Sequence, residues 1–85
     1  MNFLENIKIK FAISRITKME KFFDDLKFSF EKSKEEFYKN KNLQRKLKVL
    51  TNYYENGKWL KDYQLDEENL LPKNLKHGIL SQDGI

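Results

Sequence analysis

The sequence predicts an all-α protein: a long N-terminal helix packed as a hairpin on a second helix, with a short helical or irregular C-terminal tail. Three observations predict it. Apolar residues recur every seven positions through the first forty residues. All three Gly, the single Pro and the single Trp fall after residue 56. A second apolar face, Leu43, Leu47, Leu50 and Tyr54, steps by four, three and four, which is one side of a helix.

The first helix is expected from about Phe3 to about Asn40, within the segment 1–40. Ile9, Ile16, Phe23, Phe30 and Phe37 form one row of a heptad; Ala12, Met19, Leu26 and Ser33 form the other. At 1.5 Å per residue such a helix is roughly 55 Å long. Phe11, Ile13, Phe22 and Phe28 lie off this seam, so the apolar stripe is wider than a two-stranded coiled coil needs. A stripe of that width suits a helix with two neighbours, or with one neighbour and a partner. Tyr38-Lys-Asn-Lys-Asn42 is polar and holds two Asn, which favours a reversal. The second helix is expected over 42–56. Asn56-Gly57 ends it, because Gly takes the left-handed position after a helix most cheaply.

The tail spans 58–85. Lys58 to Tyr63 reads as a short helix or turn with Trp59 and Tyr63 on one face. Asp66-Glu67-Glu68-Asn69 reads as an acidic loop. Pro72 restricts Leu71 before it and suits the first turn of a short helix through Lys76, which Gly78 ends. Ser81-Gln82-Asp83 resembles a helix N-cap. The tail is expected to fold back onto the hairpin through Trp59, Leu71 and Leu75.

One small domain over 1–85 accounts for the length. A core of this size seldom supplies more than about 3–5 kcal/mol, and there is no Cys to form a disulfide or a thiolate metal site. No run of apolar residues reaches the roughly 18–20 needed to cross a bilayer. Glu5, Lys8, Lys10 and Arg15 interrupt any signal-peptide core. A cytoplasmic protein that does not engage a membrane is therefore expected, and the Lys, Asn, Phe and Ile bias points to an AT-rich bacterial or phage genome. Net charge is +4. Residues 1–56 carry 13 Lys/Arg against 8 Asp/Glu, and residues 57–85 carry 4 against 5, so the basicity belongs to the helical part.

Tyr53-Tyr54, Gly57, Trp59, Asp62-Tyr63, Asp66-Glu67, Leu71-Pro72-Lys73, Leu75-Lys76, Gly78 and Leu80-Ser81 with Asp83 form a distinctive series. With Arg15-Ile16 and Met19-Glu20 upstream, the chain resembles a family of small bacterial proteins known only as a domain of unknown function. The resemblance implies a helical fold and carries no known activity.

No catalytic motif is legible. His77 lacks the orienting partners a general base needs and reads as a cation at a helix end. Ser81 and Asp83 lie near it without a Gly-x-Ser-x-Gly turn. Asp66, Glu67 and Glu68 lack the spacing of a calcium loop, and Asp24-Asp25 reads as a solvated face. Neither a cofactor nor a metal is expected, and the protein is expected not to be an enzyme. Lys39, Lys41, Arg45, Lys46 and Lys48 form a basic cluster able to meet phosphates or an acidic partner; five phosphate contacts give a salt slope of roughly −4 to −5. Phe22, Phe23, Phe30, Phe37, Trp59 and Tyr63 are the expected protein-interface residues. The leading expectation is a non-enzymatic module that binds a protein or a protein–nucleic-acid complex. Its sharpest form is an anti-CRISPR-like inhibitor of a bacterial defence complex, by analogy of size and composition. The alternatives are a nucleic-acid-binding accessory protein using the basic cluster, or a homodimer or larger homo-oligomer built on the Ile9–Phe37 seam.

Overall fold

The computed structural model describes residues 3–76 and 78–80. It contains four α-helices and a 3-10 turn: α1 (Phe3–Lys32), α2 (Lys34–Lys39), α3 (Lys41–Glu55), α4 (Lys58–Glu67) and the turn Gly78–Leu80. Among the described residues there is no strand, so the all-α expectation holds. Helix α1 is the spine of a body 48 × 19 × 18 Å. Helices α3 and α4 follow one another along it, both antiparallel to it. Lys46 near the start of α3 meets Asp25 of α1, and Asp62 of α4 meets Arg15. None of the described helices is long and apolar enough to cross a membrane.

The expected helix from Phe3 to Asn40 is two helices. The chain breaks at Ser33, whose backbone is extended (φ −161°, ψ 108°). The Ser33 hydroxyl accepts a hydrogen bond from the Glu36 amide at 3.3 Å, which caps α2. Ser33-x-x-Glu36 has the spacing of a capping box, so the break is encoded locally, beneath an apolar repeat that runs past it. The kink turns Phe37 inward against Phe30, with ring centroids 5.4 Å apart and edge to face. Phe37 is buried as a result.

Asn40 serves two helices. Its amide donates to the carbonyls of Glu36 and Phe37 at the end of α2. Its side-chain oxygen accepts from the Leu43 amide at 3.0 Å and starts α3. The reversal thus falls within the expected Tyr38–Asn42 segment, and α3 begins one residue earlier than the expected 42. It ends as expected at Asn56, with Gly57 at φ 89°.

Two tail expectations are corrected. Asp66 and Glu67 belong to α4 rather than to a loop. That helix closes at Asn69, which sits at φ 58°, with Leu70 N–H donating to the Leu65 carbonyl and Asn69 N–H to that of Asp66. This is a Schellman closure, which Asn tolerates. Pro72 to Lys76 forms no helix. A single turn is closed by the Leu75 amide on the Pro72 carbonyl at 3.2 Å, and Gly78 opens the 3-10 turn instead of ending a helix. One isolated helical turn is a costly nucleus, and the buried positions Leu71, Ile79 and Leu80 hold the segment as a strap instead. His77 and Ser81-Gln82-Asp83 lie outside the described residues.

The strap runs back beside α1. Leu70 lies by Ile9, and Pro72, Leu75 and Lys76 flank the cleft formed by Ile13, Thr17 and Asp24. The fold-back through Trp59, Leu71 and Leu75 is present, and its deepest residues are Ile79 and Leu80. They join Ala12, Ile16, Met19, Leu26, Leu50 and Tyr53 in the core. Replacing Ser33 with Ala should cost about 1 kcal/mol through loss of the cap. A urea unfolding midpoint equal to wild type would show that the break does not depend on it.

Candidate interaction site

Two buried carboxylates join the elements. Asp62 of α4 is fully buried. It accepts from Arg15 Nε at 3.2 Å and Arg15 Nη2 at 2.6 Å, and from the Tyr53 hydroxyl at 2.8 Å. Three helices therefore meet on one carboxylate. Glu20 of α1, also buried, accepts the Ile79 amide at 2.7 Å. The Ile79 carbonyl accepts from Trp59 Nε1 at 2.8 Å and from the Tyr54 hydroxyl at 3.1 Å. A strap residue with no polar side chain is thus fixed at both backbone atoms. No described buried side-chain nitrogen or oxygen lacks a hydrogen-bond partner.

Each residue of this cluster is hydrogen-bonded to another of them, so the arrangement ties α1, α3, α4 and the strap together. Six of the residues behind the family resemblance meet here: Arg15, Glu20, Tyr53, Tyr54, Trp59 and Asp62.

The surface feature left unused lies further along α1. Among the described residues, the strap reaches α1 only as far as Glu20 and Asp24. Beyond that level α1 and α3 enclose an open apolar groove of about 510 Å³, lined by Phe23, Leu26, Lys27, Phe30, Phe37, Leu47, Leu50, Thr51 and Tyr54. No described residue covers it. Phe30 is 36% exposed and Leu47 37%, both large apolar side chains facing solvent. The α1 wall and the α3 wall each step by three, one and three residues, the spacing of a helix face. Tyr54 forms the end of the groove next to Ile79.

The expected interface residues divide. Phe23, Phe30 and Phe37 line the groove. Phe22 does not; the ammonium groups of Lys18 and Lys46 stand 5.5 and 5.6 Å from its ring centroid. Trp59 and Tyr63 stack on each other at 5.2 Å. With its indole N–H held by Ile79, Trp59 acts as the strap's clamp rather than as a free anchor. Sequence reasoning missed Leu26, Lys27, Leu47, Leu50, Thr51 and Tyr54 as groove walls. The available signal was that apolar faces run along both arms of the hairpin, with matched three-and-four spacing.

The basic cluster also divides. Lys39 pairs with Glu35 at 2.9 Å, and Lys46 with Asp25 at 3.1 Å. Lys41, Arg45 and Lys48 are exposed on α3 and share one face by their spacing of four and three. Arg45 donates to the Asn42 side chain at 2.8 Å. Asp24 and Asp25, expected to be simply solvated, are ion-paired with Lys76 and Lys46. Among the described residues no three His, Asp or Glu side chains gather as metal ligands.

The fold and the clamp are those of a small helical domain. The chain belongs to the DUF4298 family, a domain of unknown function whose family model matches residues 16–85. No curated protein and no solved structure matches it.

Removing Asp62 takes the acceptor from the buried Tyr53 hydroxyl and from the partly buried Arg15 guanidinium. Asp62→Ala should cost about 3 kcal/mol or more, close to the whole stability of a domain this size, and Tyr53→Phe roughly 1–3 kcal/mol. A thermal melt of Asp62→Ala within a few degrees of wild type would contradict this. The tyrosines also set an alkaline limit. Burial pushes Tyr54 up to about 12, and burial first, then the hydrogen bond to Asp62, pushes Tyr53 up further. The folded state holds these protons more tightly than the unfolded chain, whose tyrosines titrate at about 10. Their contribution to stability is complete below that value and falls as pH rises from about 10 towards 12. Urea midpoints across this range should fall more steeply for wild type than for Tyr54→Phe, and equal slopes would contradict the assignment.

Proposed function

We propose that this protein is a non-enzymatic binding module that docks a partner protein in the groove between α1 and α3. The observation that carries this reading is the groove itself. A chain with few core residues leaves Phe30 and Leu47 about a third exposed beside Phe23 and Leu50. Covering the exposed third of each such side chain contributes roughly 0.5–1 kcal/mol, and grooves of this kind take helical or extended segments of other proteins. The finer expectation, an inhibitor of a bacterial defence complex, rests on size and composition and draws nothing from the groove's geometry.

A second reading is favoured by one observation. Lys41, Arg45 and Lys48 form an exposed basic stripe, which fits three phosphates rather than the five expected from sequence. The corresponding salt slope on duplex DNA is roughly −3.

Affinity capture from a bacterial lysate, with and without nuclease, separates the two readings. Wild type should retain a stoichiometric protein that survives nuclease and is lost with Leu47→Asp. Leu47 is partly exposed, so that variant keeps the fold. A set of proteins lost on nuclease treatment and retained by Leu47→Asp would overturn the groove reading in favour of the stripe.

A further inference from the structure

The groove's surroundings specify the chemistry of what fills it. Residues 21–51, which carry nearly all of its lining, hold nine Lys/Arg against five Asp/Glu, a net charge of +4 equal to that of the whole molecule. Of those acids, Asp24, Asp25 and Glu35 are already ion-paired with Lys76, Lys46 and Lys39. Of the nine cations, only Lys39 and Lys46 have an ion-pair partner among the described residues. Lys27 stands in the groove wall itself. The Lys34 ammonium lies 5.3 Å from the centroid of the Phe30 ring, which is another part of that wall. Lys48 is exposed, follows the lining residue Leu47 and stands one turn before Thr51. The mouth of an apolar slot is thus bordered by cations without carboxylate partners among the described residues.

The shape is as specific as the charge. Phe23, Leu26, Lys27 and Phe30 face Leu47, Leu50, Thr51 and Tyr54 across the slot. Two helices offering matched rows form the groove that a third helix packs into. Each row spans two helical turns, about 10 Å. A second copy of this chain is a poor occupant, because joining two such faces brings together two segments of net +4.

We propose that the groove receives about two turns of an amphipathic helix from a partner protein, with apolar anchors spaced by three or four residues and flanked by Asp or Glu. This rests on the reading of the groove as a docking site and specifies its ligand. Lys27 and Lys48 select the acidic flanks; Phe23, Phe30, Leu47 and Leu50 hold the anchors.

Two synthetic helical peptides test it. They share one row of Leu anchors and differ only in having Glu or Lys at the flanking positions. Fluorescence anisotropy with labelled peptides at moderate salt reads affinity. The Glu peptide should bind wild type at least about tenfold more tightly than the Lys peptide, and the Lys27→Glu/Lys48→Glu double variant should lose or invert that preference. Both substituted positions are exposed, and circular dichroism checks the fold. Leu47→Asp should abolish binding of the Glu peptide. Equal affinity for the two peptides overturns the acidic partner and leaves the groove reading standing. Binding of neither peptide, or binding indifferent to Leu47→Asp, overturns both. A concentration-dependent dimer in sedimentation that Leu47→Asp dissociates would assign the groove to a second copy and overturn the proposal.

Discussion

The carboxylate of Asp62 is the constraint on which the architecture depends. It is fully buried and contacts groups from two other helices. A buried charge is tolerated only when hydrogen-bonded and paired. Arg15 supplies the pairing and Tyr53 a further donor, so any shift of α1, α3 or α4 that keeps the carboxylate buried leaves it short of partners. That cost fixes where α4 crosses α1 and, through Gly57, the course of the chain between α3 and α4. In a domain whose core offers little surplus stability, this polar anchor gives a specificity of arrangement that apolar burial alone does not.

Glu20 does the same for the strap. Helices satisfy their own backbone, whereas an irregular strap must find partners elsewhere. Ile79 finds them in three side chains, from α1, α3 and α4. The strap's path follows from this anchoring: it runs beside α1 to the level of Glu20 and Asp24 and is held there. Among the described residues, the α1–α3 seam is therefore covered near Glu20 and open from Phe23 to Phe30. Fold and candidate site are two results of one arrangement, with the polar groups engaged in holding the strap and the surplus apolar groups left at the surface.

Much of this is legible in the sequence, and unevenly so. The heptad from Ile9 to Phe30 predicts α1, because a regular apolar period needs no tertiary information. The reversal at Asn40 and the stop at Gly57 follow from local turn chemistry. The break at Ser33 is hidden because the apolar repeat continues to Phe37, which makes Ser33 look like a member of the heptad rather than a cap. The polar cluster is not readable, since Arg15 and Asp62 are 47 residues apart and only the fold makes them neighbours. Tyr53, not the periodic Tyr54, is the more deeply buried of the pair. The groove is half visible: Phe23, Phe30 and Phe37 are expected at an interface. The opposite wall on α3 is written in the spacing of Leu47, Leu50 and Tyr54, but that the two faces form an open groove depends on where the strap meets α1, which no local pattern reveals.

If the groove, and not the buried polar cluster, is the working surface of this DUF4298 domain, binding should be felt there first. The most direct test is an amide chemical-shift map of isotope-labelled protein titrated with the partner protein recovered by capture. The largest perturbations should fall along Phe23–Phe30 and Leu47–Tyr54, with Trp59, Asp62 and Ile79 little changed. Perturbations centred on Trp59, Asp62 and Ile79, with the α1 and α3 rows unchanged, would contradict the groove as the working surface.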